Sequence, residues 1–193
     1  MAKITRYTKS PRGKEVKCSK CGRTIEVGED YLKATPYRST PIIRCLSCGL
    51  KSYETSGSQF VQDVGAIVEN WQNDYGTDET TVDSLVSALE DIVSYTQDSL
   101  DNIPEQLREG DTGTMLQERI DMLEDVIGEL EQISYEDIKE EQRDEAVENV
   151  GEYDSDIWED RDSYDADIEN EMESLAEEAL LDAIGDALSG LEY

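Results

Sequence analysis

Apolar residues recur at helical spacing through most of the chain after its first 57 residues. One such run begins at Phe60 and is predicted to end at Gly76, because glycine often follows the last turn of a helix. A second run follows Thr80 and ends before Pro104, a residue that cannot continue a helix. The segment 80–83 resembles a capping box and predicts where this second helix begins.

A third helix is predicted after the turn at 110–113, where Thr114 and Gln117 repeat the capping signature. Its apolar residues are spaced alternately by four and three positions, as in a heptad seam. They are Leu116, Ile120, Leu123, Ile127 and Leu130. The seam spans barely two heptads, which favours an internal core over a dimerising coiled coil. Residues 56–134 are therefore predicted to form a mostly antiparallel helical bundle.

The last third of the chain is predicted to contain an acidic linker and one long helix. Residues 135–164 are dense in Asp and Glu, and only a weak helix is expected there, around 138–150. The stretch 152–160 is typical of a linker or a docking motif. Residues 165–191 carry a continuous apolar face at helical spacing. That face must be buried on the chain's own bundle, in a homo-oligomer or against a partner helix.

The N-terminal quarter shows the alternating pattern of β-strands instead. Polar and apolar residues alternate in 24–27 and in 31–35 around a turn at 28–30, which predicts a β-hairpin. Residues 42–44 are expected to form a further short strand. The fold class is therefore predicted to be α+β, with a small β-hairpin head at residues 15–55 followed by the acidic helical bundle.

Two CxxCG units separated by 23 residues contain every cysteine of the chain. The cysteines are Cys18, Cys21, Cys45 and Cys48. Thiolates in this pattern can surround one Zn²⁺ tetrahedrally, so the head is predicted to be a zinc ribbon; two disulfides or a redox pair are the alternative. Four cysteine ligands leave no open position for substrate. Zn²⁺ is therefore expected to be structural and to supply most of the folding energy of the head, on the order of 10 kcal/mol.

The charge is divided between the two parts of the chain. Residues 1–53 contain 12 Lys/Arg and 4 Asp/Glu, whereas residues 54–193 contain 5 Lys/Arg and 43 Asp/Glu. Residues 1–14 are interpreted as a flexible basic arm of the kind that often reaches phosphates. No apolar run has the length that crosses a membrane, and the N-terminus lacks the apolar core of a signal peptide. A cytoplasmic protein without a membrane partner is expected.

The basic head combines Lys and Arg with tyrosines, a mixture that suits phosphate contact and base stacking. A nucleic acid or a nucleic-acid-binding protein is the predicted partner. The alternative is that these cations only neutralise the thiolates and pair with the acidic body. The candidate contact residues are Lys20, Arg23, Lys33, Tyr37, Arg38 and Arg44.

The acidic body has three interpretations. Its carboxylates could imitate the phosphates of DNA, or they could keep the protein hydrated in a high-salt cytoplasm. A calcium loop is disfavoured, because the acidic runs 154–156 and 162–167 do not fit the spacing of an EF-hand. The chain contains no histidine, which removes the usual general base and the His-dependent nucleophile pairs. We therefore predict no enzymatic activity.

Several motifs of the head also occur together in a known group of proteins. They are Lys9-Ser10-Pro11-Arg12, Cys18-Ser19-Lys20-Cys21, the segment 25–31, Tyr37-Arg38 and Arg44-Cys45. Over roughly residues 3–60 the chain resembles small proteins of tailed viruses of bacteria and archaea, which have a zinc-ribbon or PARP-type-finger-like head before acidic helices. The resemblance implies a viral accessory protein in the host cytoplasm. PARP-type fingers use three cysteines and a histidine, and this chain has cysteine in place of that histidine.

These features together predict a non-enzymatic accessory protein. Its zinc-ribbon head is expected to bind nucleic acid or a nucleic-acid-processing partner. The alternative hypothesis is an acidic DNA-mimic inhibitor of a host enzyme, in which zinc only folds the head. The two hypotheses differ in whether the basic or the acidic part of the chain makes the functional contact.

Overall fold

The computed structural model of the chain describes residues 3–7, 14–36, 40–154, 157–158 and 160–191. It divides into two units, one up to residue 69 and one from residue 70 onward. The strands lie in the first unit and most of the helices in the second. The predicted fold class, α+β with a small antiparallel β head before a helical bundle, is confirmed.

The first unit contains two small antiparallel sheets. One has three strands in the order β1, β4, β5, and the other pairs β2 with β3. Their bounds are Thr5–Tyr7 for β1, Val16–Lys17 for β2, Thr24–Ile25 for β3, Tyr31–Ala34 for β4 and Ile42–Cys45 for β5. The strand predicted at 42–44 is therefore present as β5.

The predicted pairing of 24–27 with 31–35 is wrong. β3 pairs with β2, on the other side of the first cysteine pair, and β4 pairs with β5 and β1. Between β3 and β4 the chain reverses in a turn. A hydrogen bond that the Glu26 N–H donates to the Glu29 carboxylate at 2.9 Å closes this turn. Alternation of polar and apolar residues identifies strands but not their partners, so the pattern alone favoured the nearest neighbour.

Part of the predicted basic arm belongs to the three-stranded sheet. β1 pairs with β4 from Thr5 opposite Lys33 to Tyr7 opposite Tyr31. The Arg6 guanidinium donates to the Asp30 carboxylate at 3.0 Å from Nε. Residues 1–2 and 8–13 of the arm lie outside the described residues. The sheet thus fixes a segment that the sequence assigned to a flexible arm.

Seven α-helices occur among the described residues. Their bounds are Gln59–Asp74 for α1, Thr81–Asp101 for α2, Glu105–Arg108 for α3, Asp111–Leu130 for α4, Tyr135–Glu141 for α5, Arg143–Val150 for α6 and Arg161–Leu188 for α7. α1 belongs to the first unit as far as Glu69. It ends just before Gly76, as the sequence predicted.

The helices α2 and α4 pack against each other in the second unit. The end of α2 and the start of α4 line one cleft, and the middle of α2 and the end of α4 line another, so the two helices run antiparallel. Val126 is buried, although it lies outside the predicted seam, and Ile127 is only half-buried. A straight helix has 3.6 residues per turn and drifts away from a strict heptad, which moves burial to the neighbouring position.

Both predicted capping boxes differ from the structure. Thr80 precedes α2 but makes no side-chain cap bond; its hydroxyl and its N–H both donate to the Asp78 carboxylate. α4 begins earlier than predicted, with Gly110 as its N-cap, so Thr114 lies inside the helix. A nearby aspartate competes for the Thr80 donors, and short polar side chains of this kind bond locally in several alternative ways.

The acidic segment after residue 134 is more ordered than a linker. α5 and α6 both pack against α7, and Ala146 of α6 is fully buried. Lys139 of α5 lies between Glu169 and Glu173 of α7, at 2.5 Å and 3.0 Å from Nζ. These two carboxylates raise the pKa of Lys139 and outweigh its partial burial. One lysine thus neutralises part of a strongly acidic helix surface.

The C-terminal helix begins before the predicted residue 165. Asp160 caps α7 by accepting from the Ser163 N–H at 2.8 Å, which places the first turn at Arg161. The buried residues of α7 are Tyr164, Met172, Ala176, Leu180, Ile184, Ala187 and Leu188. This face packs on α4, α5 and α6 of the same unit. No helix in the described ranges, α7 included, is long and apolar enough to cross a membrane.

The stretch 152–160 contributes an aromatic cluster at the start of α7. The Trp158 ring packs edge-to-face on Tyr164 at 4.9 Å between centroids, and its Nε1 donates to Asp167 at 2.7 Å. The Arg161 guanidinium lies 5.1 Å from the centre of the Tyr164 ring. Residues 155–156 and 159 of the stretch lie outside the described residues. Tyr153, the other aromatic residue of the stretch, packs edge-to-face on the same Tyr164 ring at 5.5 Å between centroids. Both aromatic residues of the predicted docking motif therefore contact their own chain.

Gly113 and Gly128, both in α4, should respond in opposite directions to substitution by alanine. A Cβ at Gly113 would lie 1.9 Å from the Arg108 carbonyl oxygen, whereas a Cβ at Gly128 meets no atom within 4 Å. Gly113→Ala should lower the free energy of unfolding by about 1–3 kcal/mol through overpacking. Gly128→Ala should raise it by about 0.5–1 kcal/mol, because glycine is a poor helix former.

The measurement is urea unfolding followed by far-ultraviolet circular dichroism, with the two variants as each other's control. Equal effects of the two substitutions would contradict the close approach of α3 to α4.

Candidate metal centre

The first cysteine pair lies in the loop that joins β2 to β3. Gly22 follows Cys21 with φ of 72°, a left-handed backbone conformation that suits glycine. The Gly22 N–H donates to the Cys18 carbonyl at 2.9 Å, and the Cys18 N–H donates to the Arg23 carbonyl at 2.9 Å. These backbone bonds close the tight turn that the CxxCG pattern predicted.

The second pair repeats this arrangement at the end of β5. The N–H groups of Cys48 and Gly49 both donate to the Cys45 carbonyl at 3.2 Å, and Gly49 has φ of 63°. Ser19 connects the two turns, since its N–H and its hydroxyl both donate to the Ile43 carbonyl, at 2.8 Å and 2.7 Å. Sequence reasoning did not assign a role to Ser19.

The four cysteine sulfurs converge on one point. All four Sγ atoms lie within 4.8 Å of one another, and those of Cys21 and Cys45 are 3.9 Å apart. A disulfide would require about 2.05 Å, whereas four thiolates at about 2.3 Å from a central ion would be separated by about 3.8 Å. All four cysteines are free. The predicted ligand set therefore lies together and could bind a metal ion.

The protonation of the cluster reflects the crowding of its sulfurs. Burial opposes ionisation of Cys18, but backbone N–H groups of Cys21, Cys45 and Lys20 outweigh it and lower the pKa of Cys18 to about 6. Hydrogen bonding with the sulfurs of Cys45 and Cys21 raises the pKa of Cys48 to about 12. The Cys18 thiolate is among the groups that oppose ionisation of Cys48. A bound cation would offset repulsion of this kind between thiolates.

Burial on one side of the cluster makes it part of the core of the head. Cys18 is 1% exposed and Cys45 5% exposed, and they pack with Ile25 and Tyr31. Cys21 lies on the exposed side. The Tyr31 hydroxyl is buried without a hydrogen-bond partner in the described part of the chain, and burial raises its pKa. The core of the head is small and is built around the cysteines.

The basic residues predicted to contact nucleic acid have different environments. Lys20 is exposed in the first cysteine loop, and Lys33 places its Nζ 6.0 Å from the centre of the Tyr7 ring. Arg23 forms an exposed ion pair with Glu29 at 2.7 Å. Tyr37 and Arg38 lie outside the described residues.

The Arg44 side chain is much more buried than that of Arg23. The Arg44 side chain is 13% exposed and pairs with Glu54 at 2.8 Å, while Nη1 donates to the Ser19 hydroxyl. Burial would raise the pKa of Glu54, but the Lys51 N–H and the Arg44 guanidinium outweigh it and lower that pKa. Glu54, which the sequence did not single out, is thus the residue that fixes Arg44. This arrangement indicates a structural role for Arg44.

Sequence reasoning also missed Tyr7. Its ring is 39% exposed and stacks on the buried Tyr31, with centroids 5.3 Å apart and an angle of 13° between the planes. The Lys33 Nζ lies over the same ring. The only local signal was a short alternating stretch inside a basic segment. The pairing of β1 with β4 creates this surface, which no spacing in the sequence could reveal.

No family model, no curated protein and no solved structure matches this chain. The resemblance of the head to viral zinc-ribbon proteins therefore stays a prediction. The proposed function rests on the geometry of the cysteine cluster and on the charges around it.

Replacing Cys45 should remove metal binding and unfold the head. Cys45→Ser leaves three thiolates, and the loss of metal-binding free energy on the order of 10 kcal/mol exceeds what a head of this size can replace. Elemental analysis should show loss of the metal, and hydrogen exchange should show loss of protection in β4 and β5. Far-ultraviolet circular dichroism should keep most of the helical signal.

Ser47→Ala is the matched control for Cys45→Ser, because Ser47 is an exposed residue of the same cysteine loop. Protected β4 and β5 amides in metal-free Cys45→Ser protein would contradict a head that depends on its metal.

The ion pairs Arg44–Glu54 and Arg23–Glu29 should contribute differently to the stability of the head. Arg44→Met leaves Glu54 partly buried without its cation and should destabilise the head by about 2 kcal/mol. Arg23→Met removes an exposed pair and should cost at most about 0.5 kcal/mol. Hydrogen exchange of the β4 and β5 amides reports the free energy of opening of the head in each variant. Equal values would show that burial of Arg44 does not stabilise the head.

Proposed function

We propose that the four cysteines hold one structural Zn²⁺ in a zinc-ribbon head. Sulfur is the only donor type in the cluster, and four thiolates in tetrahedral arrangement favour zinc over harder cations such as Mg²⁺ or Ca²⁺. When bound, the ion would join the two cysteine loops and neutralise their charge. Elemental analysis of purified protein distinguishes zinc from iron, the other metal that four-cysteine sites commonly hold.

We propose that the protein is a binding protein and not an enzyme. A four-thiolate site leaves no open coordination position for substrate or water. The chain also has no histidine to act as a general base near neutral pH. The closed site and the absence of histidine support a scaffold role for the metal, with the surrounding surface making the functional contacts.

The proposed ligand of the head is nucleic acid, or a partner that processes it, in the cytoplasm. The observation that carries this proposal is the partly exposed Tyr7 ring, stacked on Tyr31 with the Lys33 Nζ over it. A partly exposed aromatic ring with a nearby cation suits base stacking together with phosphate contact. Lys20 adds an exposed positive charge, and Arg23 could exchange Glu29 for a phosphate because its ion pair is solvated.

Charge reversal in the head tests this proposal. Lys33→Glu should weaken binding of a fluorescent 12-nucleotide single strand by roughly tenfold and reduce the slope of log K against log salt by about one. Tyr7→Val should weaken binding by about 1–3 kcal/mol through the lost stacking. Fluorescence anisotropy over a salt series measures both effects.

Arg143→Glu is the matched control for Lys33→Glu. It makes the same change in net charge at an exposed position of α6, in the other unit. Equal loss of affinity in the two variants, or no binding by the unmodified protein at low salt, would overturn the proposal.

The second candidate is an acidic DNA mimic that inhibits a host enzyme. It is favoured by the pairing of Arg23 and Arg44 with glutamates of the head, which leaves fewer cations for phosphate. Under this hypothesis the Lys33→Glu variant should still inhibit a nucleic-acid enzyme as strongly as the unmodified protein. The resemblance to viral proteins supports a host enzyme as the target, and loss of inhibition in that variant would exclude the mimic.

A further inference from the structure

A groove runs between α2 and α4 on the surface of the second unit. Both helices contribute residues at helical spacing to its walls, and its volume is about 560 Å³. Val93 of α2 and Ile127 of α4 form its apolar floor, and both are only half-buried. This part of the α2–α4 surface therefore keeps apolar area in contact with solvent.

Four carboxylates surround this floor. They belong to Glu90, Asp98, Glu124 and Glu131, and all four residues are exposed. In the described part of the chain, no Lys or Arg lines the groove or forms an ion pair with them. The groove thus combines an apolar centre with an uncompensated negative rim.

At the surface around Lys139, the same unit pairs its acidic residues with a lysine of its own chain. There Glu173 and Glu177 line a cleft together with Lys139, which bonds to Glu173 at 3.0 Å. The chain has only five Lys/Arg after residue 53, yet one of them is placed at this internal contact. Among the described residues, no Lys or Arg takes this position at the α2–α4 groove, so its rim is free to attract a positively charged ligand.

Gly128 is a second, independent feature of the groove. It lies in the interior of α4, where glycine costs about 1 kcal/mol relative to alanine. At Gly113 of the same helix, a Cβ would clash with the Arg108 carbonyl oxygen, which explains that glycine. A Cβ at Gly128, in contrast, would meet no atom within 4 Å. No neighbour within the described ranges explains this glycine. The open space that it leaves beside Ile127 suits the side chain of a ligand.

We propose that the α2–α4 groove binds a basic amphipathic helix of another protein. The apolar stripe of that helix, with residues at i, i+3 or i+4, and i+7, would lie on Val93, Ile127 and Gly128, and its flanking Lys and Arg would meet the carboxylate rim. The negative rim disfavours nucleic acid and anionic membranes, which also carry negative charge. This site is separate from the proposed nucleic-acid surface of the head and does not depend on it.

The test uses the full chain and a synthetic, fluorescently labelled 18-residue peptide. The peptide carries leucines on one helical face and lysines beside them. A second peptide has the same composition in shuffled order, so that its net charge is equal but its apolar residues share no face. Saturable binding of the first peptide, with a Kd at least roughly tenfold below that of the shuffled peptide, is expected, because only it can fill the apolar floor.

Two sets of variants locate the binding site. Glu124→Gln combined with Glu131→Gln should raise the Kd roughly tenfold, through lost charge complementarity. The matched control is Glu118→Gln combined with Glu129→Gln, which removes two exposed charges of α4 outside the groove and should change the Kd less than about twofold. Gly128→Leu should weaken binding roughly tenfold even at high salt, because it fills the floor. Gly128→Ala should give a smaller loss in the same direction.

Circular dichroism of each variant confirms that the helices remain folded before binding is compared. If the rim pair and the control pair of substitutions raised the Kd equally, the proposal would be overturned, because the peptide would then bind through the overall negative charge and not through the groove. Equal affinity for the two peptides, or unchanged affinity after both Gly128 substitutions, would do the same.

Discussion

Four cysteine sulfurs held within 4.8 Å of one another are the constraint on which the head depends. The sheets that surround them are short, and the buried residues beside the cysteines are few. Neighbouring sulfurs oppose the ionisation of a thiol, and in this cluster they raise the pKa of Cys48. The backbone bonds that close both turns bring the ligands together, and a metal would offset the repulsion that follows.

The second constraint is the negative charge of the body. Its 43 acidic residues after position 53 repel one another, and only five Lys/Arg oppose them. The helices nevertheless pack, because their apolar faces are continuous and because Lys139 lies where two glutamates of α7 approach α5. Most of the other Asp and Glu residues that the structure describes in the helices are exposed. Stability of the helical unit therefore rests on apolar burial, and charge decides which ligands can approach it.

The head and the body consequently use their charges in different ways. In the head, Arg6, Arg23 and Arg44 form ion pairs with nearby acidic residues. In the body, the carboxylates of the α2–α4 groove form no ion pair with any Lys or Arg of the described ranges. A chain with so uneven a charge distribution can thus pair some of its arginines internally and still present a strongly negative surface elsewhere. The pairing in three dimensions, and not the net charge, determines which residues are available to a partner.

The sequence by itself determined the cysteine cluster, the α+β class and the helices with apolar faces, because ligand spacing and helical periodicity are local properties. It could not determine which strands pair, and the hairpin predicted between 24–27 and 31–35 was wrong. Only the tertiary structure decided that β1 joins β4, that Arg44 is buried against Glu54 and that α5 and α6 cover α7. Each of these contacts joins residues whose distance in the chain carries no periodic signal, so packing alone could select them.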